Sequence, residues 1–235
     1  MKDDRGFTLA EILVALAIGM ILMSAIYLAV NMGQRTASVL ERKVTAGQDA
    51  KFALELMAIE IGMASFSPST TANIWRNPTT CNTPAAPAPA EQVNLGIQVA
   101  TASTITVEMD IDESGAIGDD SNEIIRYVYY SADQYVTRST NCGFEQPFLG
   151  DTAASGRPRT VRVINNALNI PMFRYYNGSG AVIAAGSLPA AIPTIRRIEI
   201  TLAVETDQID PDLGQRRRMI YSTSVIPRNH GINSQ

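Results

Sequence analysis

The sequence predicts an α+β protein, with one long N-terminal helix followed by antiparallel strands. Two observations carry this reading. No proline stands before Pro68, so nothing forces a break in a helix from Phe7 to about Phe66, roughly 90 Å at 1.5 Å per residue. Further on, the apolar period changes from helical to two. Ile105, Val107, Met109 and Ile111 alternate with Thr106, Glu108 and Asp110, the pattern of a half-buried strand. Helix first and strands after is an α+β order.

The helix opens on Gly6-Phe7-Thr8-Leu9-Ala10-Glu11, followed by nineteen uncharged residues from Ile12 to Val30. In a helix that run rises roughly 28 Å, close to the ~30 Å hydrocarbon core of a bilayer. A secretory signal peptide has a shorter apolar core, about 7–15 residues. Glu11 sits at the edge of the span, where a carboxylate is costly and therefore a functional candidate. Cleavage between Gly6 and Phe7 would create a free ammonium four residues from Glu11, one helical turn away.

Beyond the span the helix becomes amphipathic in an unusual way. Phe52, Leu56, Ile59, Met63 and Phe66 share one face, while Leu54, Met57 and Ile61 line nearly the opposite one. A helix apolar on two faces needs two partners, its own sheet and a neighbouring protomer, unless it is wholly buried in its own domain. Ser67 to Ala90 holds five prolines and reads as an extended connection, with Trp75 plugging it onto the domain.

Strand signals then follow in order. Ile124 to Tyr130 and Tyr135 to Arg138 predict a hairpin around Ala132-Asp133-Gln134. Met172 to Tyr176 and Ala181 to Ala184 flank Asn177-Gly178-Ser179-Gly180, a strong turn signal. Ile198, Ile200, Leu202 and Val204 alternate with Glu199, Thr201 and Glu205, and Arg217 to Ile226 returns as the last strand. Arg216-Arg217-Arg218 reads as a solvated strand start with an arginine pairing an acidic neighbour.

Whole-chain numbers narrow the function classes. The 235 residues hold one sizeable domain beyond the anchor, with 46% hydrophobic and 18% charged residues. A net charge of −4 and a pI near 5.1 leave no basic footprint for nucleic acid. The single histidine, His230, is close to the end of the sequence, and no Gly-x-x-x-x-Gly-Lys loop occurs. An enzyme is not the expected class.

The stretch GFTLAEILVALAIG resembles the processing and methylation motif of type IV prepilins and type II secretion pseudopilins. The resemblance implies that a prepilin peptidase cuts after Gly6 and methylates the new N-terminus, Phe7. It also implies a pilin fold, in which the N-terminal helix packs on a strand-rich head. The expected parts are a leader (1–6), a transmembrane and assembly helix (7–30), an amphipathic helix (31–66), a proline-rich linker (67–92) and a β-rich head (93–235). Two further stretches, Asp49 to Ala64 and Ile226-Pro227-Arg228-Asn229, resemble PilW-like minor pilins and the related J-type pseudopilins. The resemblance places the chain in the inner membrane as a single-pass protein with a periplasmic head, and then in a fibre at the cell surface. Its partners would be other major and minor pilins and the inner-membrane assembly machinery.

With the head in an oxidising compartment, Cys81 and Cys142 are expected to form a disulfide, the alternative being two separate buried thiols. A bridge closing a loop of about 60 residues stabilises by roughly 4 kcal/mol in the chain-entropy model. Asp110-Ile-Asp112-Glu-Ser114-Gly115 matches the opening of a calcium loop, although Ser121 stands where the bidentate glutamate belongs. Asp119 and Glu123 are nearby donors that a differently shaped loop could use for Ca2+. The alternative is a solvated acidic hairpin tip.

Glu11 paired with an N-terminal ammonium, its own or a neighbour's, would act as a register device in a filament, a specificity role for a buried ion pair. Three functions follow as expectations. The first is a minor pilin that primes assembly or caps the tip of a type IV pilus. The second is a J-type pseudopilin of a type II secretion system. The third is an adhesin or calcium-binding module carried on a pilin stem.

Overall fold

The computed structural model describes residues 8–68, 74–76, 89–150, 159–211 and 213–231. The helix α1 runs from Leu9 to Gly62, matching the proline-free stretch. The chain divides into two compact units, Met1–Val44 and Thr45–Gln235.

In the first unit the residues from Leu9 on are helix, and most of their apolar side chains are exposed, Leu13 at 60% and Tyr27 at 69% among them. The helix has an apolar window of mean hydropathy 2.5, long enough to cross a membrane by length and composition. Its few polar side chains bond inward to the backbone. Ser24 Oγ donates to the Met20 carbonyl (2.8 Å) and Asn31 Nδ2 to the Tyr27 carbonyl (3.0 Å), which suits a helix in lipid.

In the second unit the last turns of α1 are built from small residues. Ala46, Gly47, Ala50 and Ala53 are buried with Leu54, Met57 and Ile61, so the helix lies close on the sheets. A Cβ at Gly47 would meet the Tyr221 hydroxyl at 2.9 Å. The second apolar face is not covered within this unit, where Phe52 is 68% and Ile59 63% exposed. Phe66 departs from the expected face and packs partly buried against the core, because the helix has already ended at Gly62.

Nine strands follow among the described residues. Strands β1 (Ile97–Ala100), β2 (Thr104–Glu108), β3 (Ile124–Tyr130), β4 (Tyr135–Thr140) and β5 (Gln146–Leu149) form an antiparallel meander in that order, sheet A. The expected hairpin is β3–β4, closed by the Gln134 N–H donating to the Tyr130 carbonyl. Strand β2 corrects the expectation of a half-buried strand. It stops at Glu108, and Thr106 and Glu108 are buried as fully as Ile105 and Val107, so both faces of sheet A are covered there.

In sheet B, β8 (Arg197–Thr206) is central. It pairs along its length with β9 (Arg218–Val225) on one edge. Its other edge is shared by β6 (Val161–Val163) and β7 (Phe173–Tyr176). Asn165 fills the gap between them. Its Nδ2 donates to the Thr201 carbonyl (2.7 Å), and its Oδ1 accepts from the Ala203 N–H (2.9 Å). A buried side-chain amide thereby satisfies two groups of this edge, while the Ile164 N–H reaches the Ala203 carbonyl (2.7 Å) and the Thr201 N–H reaches the Met172 carbonyl (2.9 Å). The segment after Asn177 forms only the isolated bridge Tyr176–Val182 rather than the expected second strand.

Both sheets and α1 contribute to one core, with Tyr127, Phe173 and Tyr175 its largest fully buried side chains. The expected linker contains a short helix, α2 (Pro89–Asn94). Trp75 is 5% exposed in a small cluster with Ile74, Ile117 and Ile124. Gly96, at φ +84°, lets it seat: a Cβ there would meet the indole at 2.8 Å. The tryptophan plugs the connection onto the head.

Candidate functional site

At the start of α1, the Glu11 carboxylate folds back on Thr8. Its Oε2 accepts from the Thr8 backbone N–H (2.8 Å) and hydroxyl (2.9 Å), while the Glu11 N–H donates to Thr8 Oγ1 at 3.3 Å. This reciprocal exchange is a capping box. The spacing Thr8-x-x-Glu11 is itself a helix-start signal. Thr8 and Glu11 satisfy each other and fix where the helix begins. Gly6 and Phe7 lie outside the described residues.

The acidic loop between β2 and β3 gathers three of the five expected calcium donors. Asp110, Asp112 and Glu123 each place a carboxylate oxygen within 4.8 Å of the others. The sharp turn at Gly115 (φ +78°) lets its N–H reach Asp110 Oδ2 at 3.1 Å. Glu123, two positions after the expected glutamate, turns inward. Its Oε2 accepts from the Gly118 N–H (2.7 Å) and the Asp120 N–H (3.3 Å), and its Oε1 accepts from Ile111 (3.1 Å). Burial pushes the Glu123 carboxyl upward against these donors. Ser114 Oγ donates to Asp119 Oδ2 at 3.0 Å, which holds the Asp119 carboxyl low. Ser114 and Asp119 thus bind each other, and the Asp119 carboxyl also meets that of Glu123. Three hard oxygen donors on a sharp turn fit a Ca2+ site.

Of the two cysteines, Cys142 is disulfide-bonded rather than free. Cys81 lies outside the described residues. The arginine run at β9 is paired: Arg217 Nε bonds Asp210 (2.5 Å) and Arg218 Nε bonds Glu205 (3.4 Å).

Two arrangements were not legible in the sequence. The first latches α1 to sheet A. Arg138 on β4 grips Glu60 with two bonds, Nη2 to Oε1 at 2.6 Å and Nε to Oε2 at 3.1 Å. The Tyr127 hydroxyl donates to the same Glu60 oxygen. Burial, then the Glu60 charge, push the Tyr127 phenol far above its ordinary range. The second closes the head at its end. His230 Nδ1 lies 2.9 Å from Ser65 Oγ and 3.1 Å from the Leu95 carbonyl, and Nε2 lies 2.9 Å from the Ile192 carbonyl. Burial holds the His230 pKa below its ordinary value. The sole histidine is a tie between three chain segments.

No curated protein and no solved structure matches the chain. Residues 1–27 match the model for the prokaryotic N-terminal methylation motif. That motif implies processing by a prepilin peptidase and association with other pilins, and the apolar helix behind it supports membrane anchoring. Together with the α+β architecture, the match supports a type IV prepilin or pseudopilin.

Proposed function

We propose that the protein is a minor subunit of a type IV pilus, cut after Gly6, methylated at Phe7, and incorporated at or near the tip to prime assembly. The observation that carries the reading is a methylation motif over residues 1–27 that runs into one apolar helix, Leu9–Gly62, which continues into a strand-rich head. The exposed face at Phe52 and Ile59 supports it, since that face offers a neighbouring subunit an apolar surface while the opposite face serves the head's own core. No catalytic constellation is part of this reading; the head is an assembly and recognition module. Its compartments are the inner membrane, with the head in the periplasm, and then the fibre.

The test is to follow the tagged chain into mechanically sheared fibres and to delete it from the cell. The reading expects the chain in the fibre fraction and fewer or no fibres without it. Intact fibres, with loss of export of folded proteins instead, would transfer the chain to the pseudopilus of a type II secretion system.

A further inference from the structure

Strand β3 alternates between two faces of sheet A. Ile125, Tyr127 and Tyr129 belong to the core with α1, so Arg126 points to the opposite face. There it stands in register between Thr106 on β2 and Ser139 on β4. These three residues, with Glu145 and the turn at Cys142-Gly143, line a cavity of about 110 Å³. Thr106 is 1% exposed, and neither its hydroxyl nor the buried Nε–H of Arg126 has a hydrogen-bond partner among the described residues. A buried polar group left unmet costs about 1–3 kcal/mol, so two of them at one cavity call for an acceptor.

The cavity's charges identify that acceptor. Glu145 Oε2 is taken by the Tyr130 hydroxyl (2.8 Å) and the Thr137 hydroxyl (2.8 Å), and the carboxylate's other oxygen accepts no hydrogen bond among the described residues. Arg126 and Glu145 cancel, so an anion gains a guanidinium and meets a like charge. A neutral group with both a carbonyl and an N–H2 suits the pair better.

Phe144 stands in sequence between two lining residues, Gly143 and Glu145. Phe144 is 94% exposed on a turn whose preceding residues, Asn141 and Cys142, sit in the left-handed region at φ 46° and 52°. Such a backbone persists only where its surroundings hold it. Here the Asn141 side chain accepts from the Ile124 N–H at 3.0 Å, and Gly143 N–H closes onto the Thr140 carbonyl at 2.8 Å. The ring is therefore presented by a fixed turn, which lowers the ordering cost of binding.

We propose that this cavity and Phe144 form a recognition site for a side-chain carboxamide, Asn or Gln, on a partner polypeptide. The carbonyl accepts from Arg126 and Thr106, the N–H2 donates to Glu145, and an apolar neighbour in the partner covers Phe144. The site does not depend on which fibre the chain enters.

The experiment uses the full chain in detergent micelles with nitrogen-15 arginine, the Arg126 Nε–H resonance being assigned by its loss in Arg126→Lys. The probes are acetyl-Gln-Leu-amide, acetyl-Glu-Leu-amide and acetamide. The expected result is a saturable shift with the glutamine probe, weakened about tenfold in Thr106→Val, the loss of one hydrogen bond at about 1.4 kcal/mol per decade. Acetamide binds more weakly, and Phe144→Ala, a surface change that leaves the fold intact, removes the dipeptide's advantage over it. Glu145→Gln turns the preference toward the glutamate probe. No saturable shift means that water alone fills the cavity and overturns the proposal. Tighter binding of the glutamate probe to the unaltered chain, or indifference to Thr106→Val, overturns the carboxamide assignment. Indifference to Phe144→Ala overturns the polypeptide partner.

Discussion

Glu11 and Thr8 exchange hydrogen bonds across the first turn of α1, the carboxylate taking both the backbone N–H and the hydroxyl of Thr8. Cleavage at Gly6 would add a Phe7 ammonium beside this box, so one carboxylate can serve two duties, capping and charge pairing. Glutamine also serves in a capping box, so Glu11→Gln separates the two. Helix content and membrane insertion should be unchanged in Glu11→Gln. Fibre incorporation, measured as the sheared-fibre amount relative to the membrane pool, should fall by more than a hundredfold. An unpaired buried ammonium costs about 3–5 kcal/mol, at ~1.4 kcal/mol per decade. Equal incorporation would mean that Glu11 only caps the helix.

The Glu60–Arg138 pair should be a real latch, because it is bidentate and mostly shielded, at 13% and 22% side-chain exposure. Glu60→Ala leaves both Arg138 and the Tyr127 hydroxyl without their main partner. Chemical denaturation should show a loss of about 2–4 kcal/mol. Tyr127→Phe should cost only about 1 kcal/mol. A Glu60→Ala cost below that of Tyr127→Phe would reduce the latch to a surface contact.

His230 gives the head a pH dependence of known sign. Its folded pKa lies below the ordinary histidine value, chiefly through burial. The neutral ring's contribution is therefore fully present above the unfolded pKa of about 6.5 and is lost as pH falls below it. Melting temperature should drop from pH 7 to pH 5, and His230→Gln should flatten that drop. An identical drop in the variant would assign it to carboxylates instead.

The acidic loop should bind calcium. Ca2+ would relieve the mutual repulsion of Asp110, Asp112 and Glu123, and a ligand at a hundred times its Kd stabilises by about 2.7 kcal/mol. Millimolar calcium should raise the melting temperature of the full chain, and Asp112→Asn should abolish the rise. No rise in the unaltered chain would leave a hairpin tip closed by its own backbone donors.

How much was legible follows from the range of each signal. The long helix, the β3–β4 hairpin, the Trp75 plug and the glycine turn at Gly115 rest on local period or turn chemistry, and they stand in the structure as expected. The full burial of Thr106 and Glu108 was not legible, since alternation reports one covered face and cannot report a second. Glu60, Arg138 and Tyr127 come together only through the packing of α1 on sheet A. The tie at His230 carries no local signal, since its three partners lie far away in sequence. At Glu11 the capping signal is short-range and legible in the spacing Thr8-x-x-Glu11.

The central claim is that this chain is a precursor whose working form begins at Phe7. Intact-mass measurement of the protein extracted from membranes and from sheared fibres tests it directly. The account predicts a mass lacking residues 1–6 and carrying one added methyl group on Phe7, with Gly6→Val blocking both changes. A membrane-extracted protein that still carries residues 1–6 would contradict it.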